Sequence, residues 1–177
     1  MIKNKILLSR EKRYLKQKEI LAKYQKGLMI ISLNIPGVKK NKFLYQIFFK
    51  KIVYNNVFNF LKKERIIFLK YHNQKFLKDK AGIYLNLILN NKKKKSLLKI
   101  KKKIINLEKT HPIFTLLDID ILDIQHNNIK RSFLKFPPKK CFLCKKQAKI
   151  CSLQKKHRLK DLILFINTII KKFLSKN

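Results

Sequence analysis

HPIFTLLDIDILD, residues 111–123, gathers three of the nine acidic residues of a chain that carries forty-five Lys plus Arg. From residue 116 to 122 the pattern alternates. Leu117, Ile119 and Ile121 fall on one side and Asp118 and Asp120 on the other, the period-two signature of a half-buried strand. Carboxylates two apart on a strand point the same way with Cα atoms roughly 6.6 Å apart, an arrangement that can grip one divalent cation. The alternative is a pair of aspartates on a solvent-facing strand. Pro112 keeps His111 out of the helical region, so any helix arriving from upstream ends before it.

Working outward from this strand, Leu97, Ile100, Ile104 and Leu107 recur at helical spacing. They predict a core-facing helix that delivers Glu108 and His111 to the strand, preceded by an exposed lysine loop at 92–95. Residues 65–71 and 81–89 read as strands joined by a polar loop, antiparallel neighbours. Asn41 is the expected cap of an aromatic-rich helix over 42–63, with Phe43, Ile47, Tyr54, Phe58 and Leu61 in the core. Residues 28–35 form a buried strand that stops at Pro36 and Gly37. Ser9 is the expected N-cap of a first helix running to about Lys26, which Gly27 can end. On that helix Arg10, Arg13 and Gln17 make one stripe, which is a solvated surface face unless something meets it. Downstream come a polar turn at 126–128, a short strand at 129–134, a Cys-rich loop at 141–157 and a C-terminal helix at about 158–174. That last helix carries Leu159, Leu162, Ile163, Ile166, Ile169, Ile170 and Phe173 as an apolar stripe. The pattern predicts one α+β domain over 1–177, a mixed or antiparallel sheet flanked by helices.

The net charge of +36 raises a nucleic-acid partner first. Composition supplies another account. Lys, Asn and Ile make 80 of 177 residues, and Lys outnumbers Arg forty to five, although bidentate recognition of bases and phosphates favours Arg. The basicity therefore reads mainly as compositional bias with surplus lysine on solvated faces. No signal-peptide pattern opens the chain, and the longest apolar run, 162–170, is far short of the roughly 20 residues that span a bilayer. The expectation is a cytoplasmic protein with no membrane partner. Three cysteines argue against a disulfide framework. Cys141, Cys144, Cys151 and His157, spaced C-x2-C-x6-C-x5-H, can supply four ligands to a structural zinc ion, or the thiols can pack as small apolar groups.

Several pieces now match a known family in order. They are SREKR with Gln17, SLNIPGVKKN at 32–41, LEKTHP at 107–112, LLDIDIL at 116–122, Arg131, and PPKKCFLC followed by KIC and KKH. On these the chain resembles the citrate lyase holo-acyl-carrier-protein synthases, also named apo-citrate lyase phosphoribosyl-dephospho-CoA transferases. The resemblance implies a nucleotidyltransferase-like enzyme. It would attach triphosphoribosyl-dephospho-CoA to a serine of the acyl carrier subunit of citrate lyase, releasing diphosphate. It further implies that Asp118 and Asp120 hold Mg²⁺, with His111 beside them in the catalytic set. Arg10, Arg13, Asn34, Gly37, Lys40, Lys101 and Arg131 would bind the substrate. Glu108 would either orient His111 or supply a third carboxylate. The chain departs from the family where His-Pro is followed by Leu-Gly-Arg-Leu: it has Ile113, Phe114, Thr115 and Leu116. Lys139 and Leu153 also stand where the family has arginine. Two other readings stay open: a non-enzymatic basic RNA-binding or ribosome-associated protein with a zinc loop, and an inactive remnant of the transferase. The acid cluster disfavours nucleic acid, because carboxylates repel phosphate unless metal intervenes.

Overall fold

The computed structural model describes residues 2–71, 76–144 and 146–176, so part of the polar loop after Tyr71 lies outside the described residues. Its frame is a five-stranded, wholly antiparallel sheet made of β1 (Leu28–Leu33), β2 (Phe68–Lys70), β3 (Leu77–Asp79), β4 (Gly82–Leu89) and β5 (Leu117–Leu122). The order is β2-β4-β1-β5, and β3 pairs with the other end of the β4 edge that β2 occupies. The helices are α1 (Ile2–Tyr24), α2 (Phe43–Ile52), α3 (Phe58–Lys63), α4 (Lys94–Thr110), α5 (Ala148–Leu153) and α6 (Leu159–Ser175). The result is the expected α+β domain with an antiparallel sheet.

Register decides what each face carries. Met29, Ile31, Leu85, Leu87, Leu117, Ile119 and Ile121 share the main core with side chains from α2, α3, α4 and α6. The opposite face has three cross-strand rows, each running β4–β1–β5: Ile88–Leu28–Leu122, Asn86–Ile30–Asp120 and Tyr84–Ser32–Asp118. Helix α1 covers the first of these through Ile20 and Leu21, each 2% exposed. Burying two such side chains contributes about 1.5–3 kcal/mol each, which fixes the C-terminal part of α1 over the end of the sheet away from Asp118.

Helix α4 fulfils its expectation, with Leu97, Ile100, Ile104 and Leu107 all buried and His111 extended at its end (φ −155°, ψ 138°). It begins at Lys94, so half of the lysine run belongs to the helix. Helix α1 starts well before Ser9. Ser9 Oγ donates to Lys5 O at 2.9 Å, inside the helix rather than capping it. The turn out of α1 is made by Gln25 at φ 49°. Gly27 instead serves packing, since a Cβ there would lie 2.5 Å from Leu97 Cδ2.

The aromatic helix is interrupted. Its cap position is Lys42, not Asn41, whose Nδ2 donates to Asp79 O. A π-turn at Val53–Val57 joins α2 to α3 and inserts an extra residue into the helical repeat. A single unbroken stripe therefore cannot run through both halves. Phe58 and Leu61 are buried as expected, but Phe43, Ile47 and Tyr54 are exposed, and the core takes Tyr45, Phe48, Phe49, Ile52, Val53 and Val57. The strand expected at 129–134 is also absent. Ile129 N donates to Ile121 O at 2.8 Å, a lone bridge joins Asn128 to Leu122, and a 3₁₀ turn follows at Arg131–Leu134. Of the α6 stripe, Ile166 and Ile170 are fully buried, whereas Leu159 is half exposed. No helix among the described residues is long and apolar enough to cross a membrane.

Candidate functional site

Strand β5 is an edge strand, and its open side sets the site's electrostatics. Asn34 N donates to Leu116 O, so alternate carbonyls from Leu116 face β1 and those of Leu117, Ile119 and Ile121 face outward. Each outward carbonyl has a donor. Lys139 Nζ reaches Leu117 O at 3.0 Å, Lys101 Nζ reaches Ile119 O at 2.7 Å, and Ile129 N closes on Ile121 O. Two lysines thus act as caps of a sheet edge, and in doing so they come to rest beside the aspartates.

Asp118 Oδ1 accepts from Lys139 Nζ at 3.1 Å. Asp120 Oδ1 accepts from Asn128 Nδ2 at 3.0 Å and lies 3.9 Å from Lys101 Nζ. Both carboxylates are partly open, with side chains 50% and 41% exposed. Among the described residues the second oxygen of each takes no hydrogen bond. Nearby, the buried Oδ1 of Asn128 is also without a partner. The two half-exposed carboxylates offer oxygen atoms of the kind a hard divalent cation takes. Lys101 is buried, and burial lowers its pKa below the usual lysine range while Asp120 and Glu108 pull it back.

The third aspartate of the cluster has a different task. Asp123 is buried and accepts from Gln125 N and Asn127 N, closing the turn that carries His126 at φ 67°. Glu108 does not meet His111. Its carboxylate holds Arg131 at 2.5 Å and Lys139 at 3.5 Å. His111 instead accepts from Ile113 N through Nδ1, capping the 3₁₀ turn Pro112–Leu116, and it lines a separate cavity with Phe114 and Phe173. Phe114 is buried, whereas Thr115 is exposed.

The cations expected to bind substrate form two groups. Lys101, Lys139 and Arg131 surround Asp120, Asp118 and Glu108 as described. Arg13 lies two positions across the sheet, over the Tyr84 ring at 3.8 Å, and Tyr84 shares a row with Ser32 and Asp118. With strands spaced about 4.8 Å, the ends of that row are roughly 10 Å apart. Arg13 grips Asp79 with both nitrogens, at 2.7 and 2.6 Å, and donates to Gly82 O at 2.8 Å. The α1 stripe is therefore not simply a solvated face at this residue. Lys40 donates to Ile35 O, and its pKa is lowered by burial and by Arg10 and Arg13 close by. Arg10 has neither hydrogen bond nor ion pair among the described residues. Asn34 and Gly37 (φ 78°) sit at the end of β1, where Gly37 packs on Leu159.

The cysteine cluster is assembled by a tight reversal. Cys141 N donates to Lys146 O and Ala148 N to Lys139 O, which turns the chain through Cys144 and into α5. Helix α5 supplies Cys151. The four ligand atoms of Cys141, Cys144, Cys151 and His157 lie within 4.8 Å of one another, with Cys144 Sγ 3.5 Å from Cys151 Sγ and 3.4 Å from His157 Nε2. Tetrahedral zinc with bonds of about 2.3 Å to sulfur has S···S edges of roughly 3.8 Å, so the cluster can hold a metal ion of that kind. The backbone N–H of Lys146, then His157, draws the Cys144 thiol down to about 6, while burial pushes Cys151 up to about 11. Only Lys140 separates Lys139 from Cys141, so this cluster holds the segment that presents Lys139 to Asp118.

Comparison with known proteins agrees with the reading of the motifs. The family model described as apo-citrate lyase phosphoribosyl-dephospho-CoA transferase matches residues 2–173. A protein of that name from Streptococcus pyogenes serotype M3 is 30% identical over 177 residues, covering 97% of this chain and 86% of its own length. Another from the serotype M5 strain Manfredo matches at the same identity and coverage. A Vibrio cholerae protein of that name is 31% identical over 64 residues, 36% of each chain.

Proposed function

The chain belongs to the apo-citrate lyase phosphoribosyl-dephospho-CoA transferase family, and on that premise we propose that it transfers the prosthetic group of citrate lyase to a serine of the acyl carrier subunit. The donor is triphosphoribosyl-dephospho-CoA. A bond forms between the serine Oγ and the phosphorus next to the ribose. The bond from that phosphorus to the bridging oxygen breaks, and its electron pair leaves with diphosphate. The serine proton passes to a carboxylate of the pair, Asp118 being the more exposed.

The observation that carries this reading is the half-exposed Asp118 and Asp120 pair, with cations close on one side and the Arg10, Arg13 and Lys40 group across the sheet. Asp118 and Asp120 would hold Mg²⁺, which when bound neutralises phosphate charge and so favours departure of diphosphate. Lys139 and Lys101, anchored on the strand edge, orient the two carboxylates. Of Arg10, Arg13 and Lys40, Arg10 has neither hydrogen bond nor ion pair among the described residues and is the one best able to meet the leaving diphosphate. The likeness to nucleotidyltransferases rests on this carboxylate pair on a strand. His111, tied to the 3₁₀ turn, positions that turn rather than touching the reacting atoms.

The Cys141, Cys144, Cys151 and His157 cluster would hold zinc as a structural ion, and one equivalent per chain in purified protein is the expected result. The expected acyl carrier partner is acidic, so the basic surface would hasten encounter through long-range attraction. The site of action would be the cytoplasm. Mixing the protein with apo carrier, the triphosphoribosyl precursor and Mg²⁺ and then weighing the carrier tests the proposal. Asp118→Asn should abolish the mass increase while melting like the wild type. Wild-type transfer by that variant would remove the carboxylate pair from the mechanism.

A further inference from the structure

Two cavities lie beyond Lys139, and neither is lined by the aspartates. One, of about 490 Å³, is walled by Phe136, Phe142 and Phe165 and by Lys109, Arg131 and Lys139. The other, of about 560 Å³, lies between the Pro36–Gly37 turn and the Cys-rich loop, with Leu159 and Leu162 in its wall. Asn34, Cys141 and Phe142 line both, so the two are lobes of one groove.

We propose that this groove binds the dephospho-CoA part of the donor, the adenine nucleotide in the first lobe and the pantetheine arm in the second. This inference rests on the transferase reading of Asp118 and deepens it. Lys139 makes the connection, because its ammonium lies 3.1 Å from Asp118 and 3.5 Å from Glu108, a lining residue of the first lobe. A donor whose triphosphate lies at the aspartates therefore has its remainder directed into this lobe.

The chemistry of the walls matches the parts of such a molecule. Phe136 and Phe142 offer faces to a flat base, and Lys109 already lies 4.4 Å from the Phe136 ring centroid. Lys140 and Lys109 line the same lobe with no carboxylate partner among the described residues, which suits the diphosphate of the coenzyme. Glu108 is the acidic residue there, and it is neutralised by Arg131 and Lys139. The second lobe is mostly apolar, with the Asn34 amide at its junction, and accommodates a thin arm of methylenes and amides. Each lobe falls in the range of roughly 300–1,000 Å³ usual for small-molecule sites. Lys109, Arg131, Lys139 and Lys140 give the first lobe its positive charge.

The test is a calorimetric titration of the full chain, purified with its metal intact, with dephospho-CoA alone and no Mg²⁺. One molecule should bind per chain. Phe43→Ala should bind it as tightly as the wild type, because Phe43 is exposed and lines neither lobe. Phe136→Ala and Phe165→Glu should each weaken binding ~10-fold or more, the loss expected for removing a stacking face or placing a charge in the lobe. No binding by the wild type, or wild-type affinity in both Phe variants, overturns the proposal. If the variants melt early, photolabelling of the wild type with 8-azido-dephospho-CoA replaces them. Label within residues 136–142 supports the groove, and label confined to other peptides overturns it. Binding without transfer would sink the transferase reading alone, whereas transfer without binding in the groove would sink this one alone.

Discussion

Replacing Glu108 by Gln removes the one carboxylate among the described residues that faces both Arg131 and Lys139, while keeping the shape of the side chain. Glu108 is 9% exposed, and its partners are 22% and 26% exposed. Breaking a fully buried ion pair by removing one partner costs about 3–5 kcal/mol. Partial solvent access screens some of that, so ~2–3 kcal/mol is expected here. With a urea slope of about 2 kcal/mol/M, the unfolding midpoint should fall by roughly 1–1.5 M. Because Arg131 is the closest partner, Glu108→Gln and Arg131→Met should be non-additive by ~1 kcal/mol or more in a double-mutant cycle. A midpoint within about 0.25 M of wild type would refute the reasoning, as would additivity within ~0.5 kcal/mol. Either result would return Glu108 to other duties, orientation of His111 among them.

Phe48 is fully buried with its ring 5.4 Å from Phe173, so Phe48→Ala should cost about 3–5 kcal/mol in the same urea assay. Phe43→Ala, on the exposed face, should stay within ~0.5 kcal/mol, and equal losses would mean that the π-turn does not set the helix face. Folding lowers the Lys101 pKa below 10.5, so the charged ammonium costs stability while it is protonated in both states. That cost lessens as pH rises through the folded-state pKa towards 10.5, and wild type should gain on Lys101→Met when urea midpoints are compared at neutral and alkaline pH. A wild-type midpoint that stays level with or falls relative to that of Lys101→Met as pH rises would contradict the burial argument. Stripping metal with a chelator should lower the thermal midpoint and transfer together, and zinc should restore both. Unchanged melting would send the cysteines back to simple packing.

The parts of the fold legible in the sequence were those with unbroken period. The alternation of residues 117–122 gave β5 and both of its faces, and the spacing of Leu97, Ile100, Ile104 and Leu107 gave α4, because each is a single uninterrupted repeat. The aromatic helix was misread at Phe43, Ile47 and Tyr54 because one inserted residue shifts the face, and Val53–Val57 carry no sign of it. Ser9 misled because its hydroxyl can serve a helix interior as well as an end. In the site, the pairing of Glu108 with Arg131 and of Arg13 with Asp79 links residues 23 and 66 positions apart. Only the tertiary fold brings such partners together. Nothing in the sequence around Lys139 points to its place between Asp118 and Glu108, which depends on β5 lying at the sheet edge. The cluster of Cys141, Cys144, Cys151 and His157 was legible from spacing alone because its members are local.

The lysines on the outer edge of β5 also decide how a carrier protein can approach. An exposed sheet edge invites an incoming segment to add as a further strand through its own peptide groups. Here the carbonyls of Leu117, Ile119 and Ile121 are already taken, two of them by ammonium groups that would have to be stripped away. Under the proposed transfer, the acceptor serine would then come from a partner that docks through its side chains, with its own backbone already satisfied, as in a folded helix or a tight turn.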